Sequence, residues 1–221
     1  MIVIGLSDVH GDRAAINRMG NIIRRADVVL LVGDITTFGR EAETAHVVTP
    51  VLEMAKKVLA VSGNCDYPEN DAYLDRMGIN LHGRCEIIDG IGFVGLGGSL
   101  TTPFHTPNEY SESDIELYLN QGAAALPAKG SPPLVLVSHQ PPVQTRCDKL
   151  AGGSHVGSQA VRRFIEAHQP MVCFTGHIHE SKAVDTIGPT HIINPGMLTR
   201  GCYAYAEIGG QGLEILEIRS I

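Results

Sequence analysis

The chain has 221 residues, 43% of them hydrophobic and 19% charged, with a net charge of -7 at pH 7. That length suits one substantial core, and the balanced composition excludes a disordered or low-complexity chain. An acidic balance without clustered Lys and Arg argues against a nucleic-acid partner, because affinity for the phosphate backbone comes largely from such clusters.

No Pro/Ser/Gly-rich linker divides the chain, which predicts a single domain over residues 1–221. Five dispersed cysteines without a C-x-x-C spacing fit a reduced, intracellular compartment. The opening MIVIGLSDVHGD lacks a basic n-region, and no apolar run approaches the roughly 20 residues of a membrane span. These features predict a cytoplasmic protein with no membrane contact; they leave the oligomeric state open.

In chain order, residues 2–6 read as a buried strand. Asp12 then caps a helix whose apolar positions Ala15, Ile16, Met19, Ile22 and Ile23 follow the 3.6 period. A second strand spans 28–32. Residues 41–57 look helical, with Pro50 marking either a kink or a fresh N-terminus, and 58–62 is a third strand. This β-α-β-α-β order implies parallel pairing with helices over the sheet. Residues 86–89 and 91–95, parted by Gly90, predict a hairpin. The stretch 97–133 is irregular apart from two capping boxes, Thr106 to Glu109 and Ser113 to Glu116, which predict short helices at 107–111 and 114–121. A loop of that length suits a wall or lid over a site. Strand 134–137, a helix capped by Ser158, strand 171–174 and four strands at 183–187, 191–193, 203–208 and 213–218 follow. A β-α front and a β-rich tail suggest two packed sheets with helices outside.

Seven residues of ligand type stand where strands end: Asp8, His10, Asp34, Asn64, His139, His177 and His179. Functional groups of parallel α/β sheets gather at carboxyl ends of strands. Oxygen donors mixed with imidazoles suit Mn first, with Fe, Zn or Ni also compatible, better than Ca or Mg. Seven ligands exceed one tetrahedral zinc and fit two divalent ions if one carboxylate bridges. Two ions carry more positive charge than two carboxylates and a hydroxide remove, so the cluster should attract a phosphate.

The blocks DVHGD, VGD, GNCD, SHQPP and GHIHE resemble, in order, the five blocks of the calcineurin-like metallophosphoesterases, over residues 8–179. The resemblance implies an α/β, four-layer α/β/β/α sandwich with two mixed β-sheets. It implies that Asp8, His10, Asp34 and His179 hold one metal, that Asp34, Asn64, His139 and His177 hold the other, and that Asp34 bridges. It implies a phosphoric ester hydrolase acting on a small phosphate ester through in-line attack by metal-bridging hydroxide. Cys65 stands where the commonest pattern has a His that serves as leaving-group acid, which leaves that acid unassigned. The GNCD spelling resembles a branch with small bacterial and archaeal phosphodiesterases and favours a diester over a monoester. A retromer subunit resembling that branch makes a non-catalytic protein-binding scaffold the alternative. A nuclease is a third reading, disfavoured by the absence of a basic groove. Asn64 and His155 are the candidate substrate-binding residues, His155 because it precedes a helix N-terminus where oxyanions are favoured.

Overall fold

The computed structural model describes residues 1–127 and 132–221; of the predicted irregular stretch 97–133, residues 128–131 lie outside the described residues. The chain runs β1 (Ile2–Leu6), α1 (Arg13–Arg18), α2 (Gly20–Arg25), β2 (Val28–Val32), α3 (Glu41–Met54), β3 (Val58–Val61), α4 (Asn70–Arg76), β4 (Cys85–Ile88) and β5 (Ile91–Leu96). It continues through β6 (Ser99–Leu100), β7 (Glu109–Tyr110), α5 (Glu112–Ala124), β8 (Leu134–Ser138), α6 (Gln159–His168) and β9 (Val172–Phe174). It closes with β10 (Ala183–Ile187), β11 (Thr190–Asn194), a 3-10 turn at Leu198–Arg200, β12 (Cys202–Gly209) and β13 (Gly212–Ser220).

Two large mixed sheets result, ordered β13-β12-β1-β2-β3 and β10-β11-β9-β8-β5-β4. Strand alternation explains the layering, because successive side chains leave a strand on opposite faces. In β2, Val29 and Leu31 pack towards the helices of the first sheet, while Val28, Leu30 and Val32 pack into the space between the sheets. In β8, Val135 and Val137 meet them there, and Leu134 and Leu136 face α5 and α6. Three apolar cores therefore separate four layers, and strands buried on both faces read as unbroken apolar runs. The predicted α/β/β/α sandwich is the one observed. No helix among the described residues is long and apolar enough to cross a membrane.

Several local expectations need correction. The helix expected after Asp12 is two helices joined at Met19, whose N–H reaches the Ala15 and Ile16 carbonyls before α2 restarts from its own carbonyl. Pro50 neither ends nor restarts α3, which runs through it to Met54; Pro only withholds one N–H from the ladder. The expected helix at 107–111 is absent. Glu109 does receive Thr106 N–H at 2.8 Å, but the chain then extends into β7, which pairs with β6. The second helix is capped by Ser111 rather than Ser113, with Asp114 closing the capping box. The hairpin holds: Asp89 and Gly90 both take positive φ, the geometry a two-residue turn between twisted strands requires.

Candidate metal centre

The parallel strands of both sheets end at one place. Asp8 and His10 follow β1, Asp34 follows β2, Asn64 follows β3, His139 follows β8, and His177 and His179 follow β9. Bonds between the sheets hold these ends together: His139 Nδ1 donates to Val32 O at 2.9 Å and His177 N–H to Asp8 Oδ1 at 3.3 Å, while within the first sheet Ser7 Oγ donates to Val32 O at 3.2 Å. Glycine permits the close approach at two points. A Cβ on Gly33 would land on the His139 ring, and one on Gly176 would land on Ser7 Oγ, so no other residue fits there. Among the described residues, nine non-glycine residues have positive φ, and four are Asp8, His10, Asp34 and His177. Strain of this kind persists only where surrounding contacts enforce it, and here it is concentrated on the ligand-type residues.

Asp34 is the hinge of the arrangement. Its Oδ2 lies 3.7 Å from His10 Nε2, and its Oδ1 lies 3.4 Å from His139 Nε2 while accepting Cys65 N–H at 2.8 Å. The two oxygens of one carboxylate thus face two groups of donors. On the first side, ligand atoms of Asp8, His10, Asp34 and His179 all lie within 4.8 Å of one another. On the second, His139 Nε2 is 3.1 Å from Asn64 Oδ1, and the His177 ring lies 5.2 Å from that of His139.

The donor chemistry fits cations. His139 commits its Nδ1–H to Val32 O, which leaves a lone pair on Nε2, and Asn64 Nδ2 donates to Thr106 Oγ1 at 3.1 Å, which turns Oδ1 towards that lone pair. Two acceptors face each other across 3.1 Å beside a carboxylate oxygen, and a positive ion satisfies all three. Asp8 and Asp34 are 0% and 2% exposed, and among the described residues neither forms an ion pair with Lys or Arg. Buried charges left in this way call for coordination.

Protonation follows the same logic. Burial alone would raise the Asp8 carboxyl, but the hydrogen bond from His179, electrostatic attraction to the neighbouring imidazoles, and the Ser7 hydroxyl outweigh it and hold it down at about 2. Burial lowers His177 to about 3, helped by His139, and burial also lowers His10 against the pull of Asp34 and Asp8. Both are neutral imidazoles, the form a metal takes. His179 is raised by its bond to Asp8, 3.1 Å from Nε2 to Oδ1.

His155 stands apart. Its Nδ1 is 2.7 Å from Asp148 Oδ1, a buried carboxylate that also receives Thr145 and Gly157 N–H, and among the described residues no hydrogen bond or ion pair joins it to the seven. Cys65 adjoins the centre, and burial together with Asp34 pushes its thiol far up, which leaves no thiolate nucleophile. Asp66 accepts from Ile35 N, Thr36 N, Thr36 Oγ1 and Gly63 N at 2.7 to 2.9 Å, tying the Asp34 turn to the Asn64 turn. Burial and Asp34 raise it to about 6 against the Gly63 and Thr36 donors, which pull it down. Sequence reasoning missed Thr37, whose Oγ1 is 3.0 Å from His10 Nδ1, and Ser7, 2.5 Å from Asp8 Oδ2. Threonine and serine beside a turn carry no signal of their own. Thr106 falls within the stretch expected to wall the site, and it does reach Asn64.

Comparison with known proteins gives the family and the fold. The family model described as calcineurin-like phosphoesterase matches residues 1–181. An uncharacterized protein of Methanocaldococcus jannaschii, MJ1162, is 38% identical over 200 residues, covering 88% of this chain and 88% of the relative. The crystal structure of TT1561 of Thermus thermophilus superposes with a TM-score of 0.77 at 19% identity over 99% of this chain and 98% of that one. A dimetal phosphatase from Danio rerio superposes at 0.61 and 14% identity over 100% and 98%. At such identities the two structures speak for the shared fold.

Proposed function

This chain belongs to the calcineurin-like phosphoesterase family, and from that premise we propose that it hydrolyses a small phosphodiester at a centre of two divalent ions held by Asp8, His10, Asp34, Asn64, His139, His177 and His179. Family membership itself makes the protein a metal-dependent phosphoric ester hydrolase. The observation that carries the finer reading is Asp34, with Oδ2 facing His10 and Oδ1 facing His139. Asp8, His10, Asp34 and His179 would hold one ion, and Asp34, Asn64, His139 and His177 the other. The mixed oxygen and imidazole set supports Mn, with Fe, Zn or Ni as further candidates.

Bound, such ions supply Lewis-acid neutralisation of the phosphoryl oxygens and activate water for in-line attack. The chain's own residues do the positioning. Val32 O fixes the His139 tautomer, Thr106 sets the face of the Asn64 amide, and Asp66 clamps the two turns that carry Asp34 and Asn64. Cys65 remains a neutral thiol beside the centre. An ester with a good leaving group needs no strong proton donor, and the GNCD block, which resembles that of small phosphodiesterases, supports a diester. Both sheets contribute to one site and β12 pairs with β1, which supports residues 1–221 as one domain.

The test is hydrolysis of a bis-aryl phosphodiester and an aryl phosphomonoester by Mn²⁺-loaded protein. The diester should be cleaved faster. Asp34→Asn should lower turnover at least about 100-fold, since even partners of metal ligands cost roughly 10- to 100-fold when removed. Cleavage of neither ester would favour a binding scaffold on this fold.

A further inference from the structure

We propose that Phe38 and Phe104 form an aromatic rim that receives the organic group of the substrate, so that the preferred ester is that of an aromatic or other planar apolar alcohol. The inference rests on the phosphoesterase reading of the centre and extends it to substrate class. Among the described residues, Phe38 and Phe104, 52% and 84% exposed, are the only exposed phenylalanine or tyrosine rings. Both sit on loops bonded to the turn that carries Asn64. Phe38 N–H donates to Cys65 O at 2.9 Å, and the preceding Thr37 touches His10. Just beyond Phe104, Thr106 meets the Asn64 amide, and Asn108 N–H donates to Asn64 O at 3.2 Å.

Neither ring is on a loose loop. One oxygen of Glu109 accepts Thr102 Oγ1 at 2.7 Å, Thr106 N–H at 2.8 Å and Thr106 Oγ1 at 2.6 Å, and Thr102 Oγ1 also accepts Phe104 N–H at 3.2 Å. Phe38 itself and His105 beside Phe104 are held at φ 55° and 52°. Positive-φ backbone of this kind persists only where surrounding bonds enforce it and clusters at functional sites, and here it occurs in both loops that carry the rings. The other large apolar side chains left exposed, Met77, Ile87, Leu117 and Ile221, belong to the end of α4, to β4, to α5 and to the last residue of the chain. None of these belongs to the two loops that carry the rings, and two rings alone are less than the broad apolar patch that a protein partner covers. Two aromatic rings carried on loops bonded to the Asn64 turn suit a small flat group, which aromatic faces and edges recognise.

Titration calorimetry of the Mn²⁺-loaded full chain with phenylphosphonate and methylphosphonate separates the phosphoryl contribution from the ring contribution. Wild type should bind the phenyl compound about tenfold more tightly than the methyl compound. Phe104→Ala and Phe38→Gly should each shrink that ratio, and the double variant should bring it close to one. Equal binding of the two compounds by wild type, or a ratio that survives in the double variant, overturns the rim and leaves the rings to a macromolecular contact. Failure of both phosphonates to bind overturns the phosphoesterase centre, and the rim with it.

Discussion

At the scale of single residues, the centre depends on groups that would never touch a substrate. Asp66 is buried completely and holds four donors from two turns. Replacing it with Asn swaps an acceptor oxygen for a donor NH₂ facing N–H groups, so Asp66→Asn should lose roughly 2–4 kcal/mol of stability. Urea unfolding measures this, and a loss under about 0.5 kcal/mol would show that the clamp is dispensable. The seven ligand-type residues were legible in sequence because each stands at the end of an apolar run. Ser7, Thr37 and Thr106 were not, because their value lies in which loop they face, and no local pattern encodes that. His155 shows the converse. Its place before a helix N-terminus suggested an anion site, yet its ring is bound to Asp148, a pairing made by the folding of the loop between them rather than by any regular spacing.

At the scale of elements, the turn after β3 is backed by a ring stack with a pH response. His82 packs against Tyr110 and Tyr118, with centroids 5.6 and 4.3 Å away, and its Nδ1 accepts Gly97 N–H at 2.8 Å. Burial, with Arg84, lowers it from 6.5 to about 4. The unfolded chain therefore takes up the proton first as pH falls, and the stability His82 contributes above 6.5 is lost between 6.5 and 4. Asp71, which accepts from Ser62 Oγ at 2.8 Å, acts in the opposite sense: burial raises it from 3.8 to about 6, so its contribution is present below 3.8 and lost as pH rises through 6. Relative to wild type, His82→Gln should gain stability on acidification across its window, by up to about 3 kcal/mol. Asp71→Asn should lose its advantage over the same descent. Denaturant midpoints at a series of pH values test both, and parallel curves would contradict the assignment. Strands and helices with a strong apolar period, such as β2 and α6, were legible in the sequence. The miss at 107–111 arose because a capping box describes only how a few residues turn, and here the carboxylate of Glu109 closes a loop before a strand.

At the scale of the whole molecule, two packed sheets with helices outside were legible from the β-α front and the β-rich tail, and the four-layer sandwich was what the family resemblance implied. The actual strand order sets β12 beside β1, pairing Ile2 with Glu207 near opposite ends of the chain, and such a pairing has no local signature. That closure joins the two ends of the chain around one centre, so binding at the centre should stabilise the entire fold. Mn²⁺ at about 100 times its dissociation constant should add about 2.7 kcal/mol, which raises Tm by roughly 5–10 °C in a chain of this size. Thermal melts with and without Mn²⁺ measure the shift, and Asp34→Asn should abolish it. The most direct test is anomalous diffraction at the manganese edge from Mn²⁺-soaked crystals. Two peaks about 3.5–4 Å apart with Asp34 between them are expected; a single peak, or two that do not share Asp34, would contradict a bridged pair of ions.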